Sequence, residues 1–134
     1  MDATETVEDY YRALREGDPL PPYFVEREDV VKFGVSERLA GYDAVAAGLR
    51  EQTRTTRDWR VDSRRLQVSP RESVAWFSDD VGLAWTDAAG TRRSFDTRWS
   101  GVLERTGGTD STDREADGPR WQFAGMHVSA PREL

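Results

Sequence analysis

WQFAGMHVSAP, running from Trp121 to Pro131, is the stretch on which the reading of this chain turns. Aromatic and β-branched residues closed by a proline mark it as a strand. Simple alternation sets Trp121, Phe123, Gly125, His127 and Ser129 on one side of that strand. Gln122, Ala124, Met126 and Val128 then occupy the other. His127 is the only histidine in the 134 residues, and it lies close to aromatic rings and a serine. Two readings of it stand: an imidazole turned toward a ligand, or one that completes a core by hydrogen bonding.

The residues before this strand extend the pattern. TGGTDSTDREADGPR, from Thr106 to Arg120, is polar throughout and reads as a long, flexible hairpin loop. Thr91 to Arg105 is a long strand, and Asp87 to Gly90 (DAAG) is the turn that leads into it. SVAWFSDDVGLAWTD is one bent strand, with a bulge expected at Asp79 and Asp80. Trp59 and Val61 share one parity whereas Leu66 and Val68 share the other, so a second bulge is expected near Ser63 to Arg65. Pro70 ends that strand.

The first third of the chain is different. Val7, Tyr10, Tyr11 and Leu14 follow helical spacing, with Thr4 or Thr6 as the expected N-cap and Gly17-Asp18-Pro19 as the stop. Three prolines shorten any helix in DPLPPYFVERED, where Tyr23, Phe24 and Val25 face inward. Val30 to Ser36 reads as a strand and Glu37 to Gly41 as a loop. Asp43 caps a second helix, about Ala44 to Thr53, with Val45, Leu49 and Gln52 on one side. Two or three helices thus precede four long antiparallel-compatible strands. The expected class is α+β, one domain over residues 1–134, its curved antiparallel sheet wrapped around the N-terminal helices. Long bulged strands curl, and helices across a curled sheet enclose a cone with an open mouth.

Composition narrows the function classes. Nineteen basic residues against twenty-five acidic ones leave a net charge of -6. That opposes a nucleic-acid partner or an anionic membrane surface. No apolar run reaches the length of a membrane span, and the acidic MDATETVEDYY is unlike a secretory signal. A cytoplasmic location is therefore expected. With no cysteine there is no thiol chemistry, and one histidine without ligand spacing points to no metal. No cofactor is expected. Lys32 is the only lysine, and this acidic, arginine-rich balance suits either a salt-loving cell or a GC-rich genome.

YYRALREGD, FVEREDVVKF, GYDAVAAGLR, VAWFSDDVGLAW, RWSGVLERTGG and WQFAGMHVSAP together resemble the nuclear transport factor 2-like superfamily. Within it the chain is most similar to SnoaL-like, ketosteroid-isomerase-like domains. The resemblance implies a cone-shaped barrel and a homodimer formed through the outer sheet face, but no particular reaction. It places the family's helix-one tyrosine on Tyr10. The family's two catalytic acids fall near Phe33 and Gly101, so both are missing and isomerase chemistry is not expected.

Six residues are candidates for a site: His127, Tyr10, Arg98, Trp76, Trp99 and Ser100. His127 and Tyr10 are the best candidates for proton transfer or for hydrogen bonds to a carbonyl. Arg98 and Ser100 share a strand face with Asp96, and if that face lines the cone, Arg98 can clamp a carboxylate. If the opposite face does, Trp99 is a wall and Arg98 lies outside. One of the paired aspartates, Asp79 and Asp80, can point inward as a base. Two functions follow: a domain binding a small apolar or carboxylate-bearing molecule, or a non-catalytic dimerisation or ligand-sensing module whose cone is filled by its own side chains.

Overall fold

The computed structural model describes residues 1–106 and 120–131. Helix α1 spans Ala3–Glu16, and a 3₁₀ turn follows at Pro21–Tyr23. A short hairpin, β1 (Val31–Phe33) and β2 (Arg38–Ala40), leads into α2 (Tyr42–Thr55). Strands β3 (Arg57–Ser63), β4 (Gln67–Pro70), β5 (Val74–Thr86), β6 (Arg92–Thr106) and β7 (Arg120–Ser129) complete the sheet. The strand order is β2-β1-β7-β6-β5-β3, with β4 paired to β5 beside β3. Among the described residues every pairing of these strands is antiparallel except β1 with β7, and an isolated parallel bridge joins Phe24 to Phe123. The class is α+β, as the element order requires.

Helix α1 forms where the spacing predicts, but its cap lies earlier. Asp2 accepts from the Glu5 N–H while Glu5 reaches back to the Asp2 N–H, a reciprocal capping box. Gly17 closes the helix in the left-handed region, at φ 74°. Val7, Tyr10, Tyr11 and Leu14 are all buried against the sheet. Helix α2 begins at Tyr42 after Gly41 and has no side-chain cap, so Asp43 lies in its first turn instead of preceding it. The loop expected at Glu37 to Gly41 contains β2, because Gly34 donates to the Glu37 carbonyl and folds the chain into a hairpin.

The bulges decide which side chains enter the cone. Strand β5 pairs with β6 in unbroken register from Val74 to Thr86, so no bulge separates Asp79 from Asp80 there. Alternation sends Asp79 inward and Asp80 out. On the other edge of β5, the partner changes from β4 to β3 across Arg64 to Leu66, close to the predicted interruption. The bulge with most consequence lies in β7. Val102 faces Gly125 and Leu103 faces Phe123, which leaves Ala124 as the extra residue. Phe123, Met126 and Val128 consequently all point inward, and His127 points out. The expected hairpin loop at about 106–120 falls, between its ends, outside the described residues.

The core gathers under α1. Tyr10 meets Phe123 and Phe24 edge to face, with ring centroids 5.3 and 5.9 Å apart. Such pairs add to the area they bury. Tyr11 reaches across to donate to Asp79 at 2.9 Å, which ties helix to sheet.

Candidate functional site

A cavity of about 340 Å³ opens between α1, α2, the β1–β2 hairpin and the inner faces of β3, β5 and β6. The volume is within the range of ligand pockets, and the interior side chains leave it open. Its apolar walls are tryptophans held at defined angles. Trp99 donates from Nε1 to Thr97 Oγ1 at 2.9 Å, and Thr97 in turn donates to the Val81 carbonyl. Trp59 stacks on Trp85 with centroids 4.8 Å apart and planes 19° apart. A bulge after Arg57, where Asp58 takes φ 57°, turns Trp59 onto that partner. Trp59 Nε1 is fixed by Thr56 Oγ1 at 2.8 Å.

The polar groups come from three elements. Tyr10 on α1 is buried, and its ring edge rests on Trp99 at the cavity wall. Lys32, the only lysine, projects inward from β1 and is only 5% exposed. Glu37, in the hairpin, folds back so that its Oε2 lies 3.4 Å from Lys32 Nζ. Gly34 makes that approach possible: a Cβ there would stand 2.9 Å from Glu37 Cγ. Burial draws the Lys32 ammonium below the ordinary lysine range, and the Glu37 charge only partly opposes it. Burial raises the Tyr10 phenol well above its usual value, with the charge of Glu37 adding to the rise. Glu51, Gln52 and Thr55 on α2, Thr56 at its end and Ser36 in the hairpin complete the polar lining.

Of the residues singled out from sequence, Tyr10 and Trp99 line this cavity. The other four do not. His127 is exposed on the outer sheet face, its ring 5.5 Å from Phe33. Arg98 and Ser100 share that outer face because Thr97 and Trp99 take the inner one. Trp76 is 45% exposed there, with the Arg71 guanidinium over its ring. A carboxylate clamp at Arg98 and an imidazole in the cone are therefore both excluded by strand parity. Among the described residues no cluster of metal-ligating side chains occurs.

Asp79 is buried as alternation allows, but it is fully occupied. Its carboxylate accepts from Tyr11 Oη, from Ser63 Oγ at 2.6 Å and from the Arg65 N–H at 2.8 Å. It does not line the cavity, and it braces the junction of β3 and β4. At the two positions where the isomerase acids would fall, Phe33 lies outside and Gly101 has no room for a side chain. A Cβ on Gly101 would stand 2.5 Å from the Gly125 carbonyl oxygen.

The sequence reading missed the Lys32–Glu37 pair. In VVKF the larger apolar residues, Val31 and Phe33, invite the inner face, which puts the lysine outside. The available signal was an apolar residue, Val30, on the same parity as Lys32; the structure buries it fully.

Comparison with known proteins agrees with this geometry. The profile of the SnoaL-like domain matches residues 4–133. No curated protein is significantly similar in sequence. Among solved structures, a nuclear transport factor 2-like superfamily protein of Salmonella enterica serovar Typhimurium superposes with a TM-score of 0.78 at 15% identity, covering 98% of this chain and 89% of that one. A ketosteroid isomerase-like protein of Erwinia carotovora atroseptica gives 0.71 at 17% identity, covering 97% and 94%. An NTF2-like protein of Pseudomonas putida gives 0.72 at 18%, covering 98% and 85%. At such identities the structural likeness speaks to the fold alone.

Proposed function

The chain belongs to the SnoaL-like domain family, and on that premise we propose that it binds a small, flat, largely apolar organic molecule in its cone. The observation that carries this reading is the open 340 Å³ cavity walled by Trp59, Trp85 and Trp99, with the charged group of Lys32 at its wall. Indole faces favour a flat ring, and a few convergent polar groups fix its orientation. The lining sets Glu37 and Glu51 against Lys32 alone, so a neutral molecule with a carbonyl or hydroxyl suits it better than a carboxylate.

Thermal-shift measurements with cyclic ketones, aromatic aldehydes and aromatic carboxylates test this reading. A true ligand at 100 times its Kd stabilises the fold by about 2.7 kcal/mol. The expected result is a shift with the neutral carbonyl compounds that Trp99→Ala abolishes and His127→Ala leaves intact. No shift with any class, or a shift indifferent to Trp99→Ala, would overturn it.

The outer sheet face supports a second proposal, pairing with another copy of the chain. Trp76, Val102 and Phe33 are its exposed large apolar residues. Cross-strand register brings Trp76 beside Val102, and Phe33 beside His127. Large apolar side chains left open on one sheet face suit contact with another chain.

A further inference from the structure

We propose that Lys32 is a reactive amine, and that the cone takes a flat aldehyde or ketone which condenses with Lys32 Nζ to form an imine. This rests on the reading of the cavity as a ligand site and names the class of ligand and the bond. Three observations carry it. The only lysine of the chain is placed in the wall of an apolar cavity, where a methionine would pack without cost. Its one hydrogen-bond partner among the described residues is Glu37 at 3.4 Å, so two of its three donor positions are free of protein oxygen. Glu37 itself is half open to solvent, whereas the lysine beside it is enclosed.

An amine so desolvated gives up its proton more readily than a surface lysine does, and the free base is the nucleophile. Glu37 is within reach to take that proton. The Nζ lone pair then attacks the carbonyl carbon, a C–N bond forms, and the carbonyl π pair moves to oxygen. Transfer of the second nitrogen proton to that oxygen gives a neutral carbinolamine. Glu37, now protonated, donates to the hydroxyl; the C–O bond breaks, water leaves through the open mouth, and the nitrogen lone pair closes the C=N bond. The iminium formed returns its proton to the Glu37 carboxylate. Amine and carbonyl compound become imine and water, with no oxidant or reductant. Tyr10, on the same wall, is placed to hydrogen-bond the departing oxygen.

The experiment treats the intact protein with 2-naphthaldehyde and sodium cyanoborohydride at neutral pH, followed by peptide mass mapping. Only Lys32 and the Met1 terminus carry primary amines, so the adduct assigns itself. The expected result is reduced adduct on the Lys32 peptide, formed faster in the folded protein than in urea. Glu37→Gln is expected to slow Lys32 labelling by about 100-fold while Met1 labels as before. Lys32 labelled no faster folded than unfolded, or unaffected by Glu37→Gln, would overturn the proposal. Tryptophan quenching by 2-methylnaphthalene, which cannot condense, separates the two readings. Quenching without Lys32 adduct leaves the cavity a binding site and refutes the imine; neither signal refutes both.

Discussion

Two buried charged side chains of this protein have opposite characters. Asp79 is surrounded by three donors and knits α1 to the β3–β4 junction, which is how a buried carboxylate is made tolerable. Lys32 has one partner, and its folded-state pKa lies below its ordinary 10.5. The sign follows directly. Between the lowered pKa and about 10.5, the unfolded chain holds a proton that the folded chain has released, so stability rises with pH in that window. At neutral pH the ammonium is therefore a burden on the fold, a feature more typical of a functional group than of a structural one. The groups lining the cavity with it, Glu37, Tyr10 and Glu51, remain in a Lys32→Met variant, and so do the buried phenols that cost stability above pH 10. Lys32→Met is expected to unfold at higher denaturant than the parent at pH 7, with the difference closing as pH approaches 10.5. A variant less stable at pH 7, or a difference that does not change with pH, would contradict this account. The lysine was legible in the sequence as an oddity, but its inward direction was not, since its flanking Val31 and Phe33 outrank it for burial on any hydropathy argument.

Among the elements, β7 shows how one inserted residue redirects a site. Alternation alone puts Phe123 and His127 on one face. Ala124 breaks that parity, so Phe123 stays in the core while His127 leaves it. No proline or paired-glycine signal announces this bulge, and Gly125 is its only local mark. The long strands, the DAAG turn and helix α1 were readable because each rests on local chemistry: periodicity, an αL glycine, or an Asp87 side chain that caps its own turn. Strand parity across a bulge is a cross-strand property, and it misdirected the reading of His127. Arg98, Ser100 and Trp76 lie on strands paired in unbroken register, where alternation groups the side chains but does not say which group faces the helices. The bulge also explains Gly101, which sits where β7 presses on β6. A Cβ there would meet the Gly125 carbonyl at 2.5 Å and Phe77 Cε1 at 2.7 Å. Gly101→Ala is expected to lower stability by about 1–3 kcal/mol. Urea unfolding checks it, as a lower midpoint with the slope unchanged. Gly125→Ala is the control, since its nearest neighbour would be the Val31 carbonyl oxygen at 3.9 Å. Equal stability of parent and Gly101→Ala would mean that β6 and β7 are not in this close register.

At the scale of the whole molecule, the sheet separates two surfaces of different use. The concave face and the helices enclose the cavity; the convex face carries Trp76, Val102 and Phe33 in the open. Arg98 and His127, sought as cone residues, belong with that convex set. The proposed pairing of two copies through it has an electrostatic opponent, because each chain carries a net charge of -6. At low ionic strength the copies repel over tens of ångströms, whereas at about 1 M salt that range falls to about 3 Å. Apolar burial is not weakened by the same change, and excluded salts strengthen it. Sedimentation equilibrium is therefore expected to give twice the 15.2 kDa chain mass, with the dissociation constant falling as salt rises. Trp76→Glu replaces the largest member of that apolar set with a carboxylate that a second copy would have to desolvate, and should return the chain to a monomer. Because Trp76 is separated from the cavity by the thickness of the sheet, ligand-induced thermal shifts should persist in the variant. A parent that sediments as a monomer at all salt concentrations, or a Trp76→Glu variant that remains paired, would remove the convex face as the contact between copies.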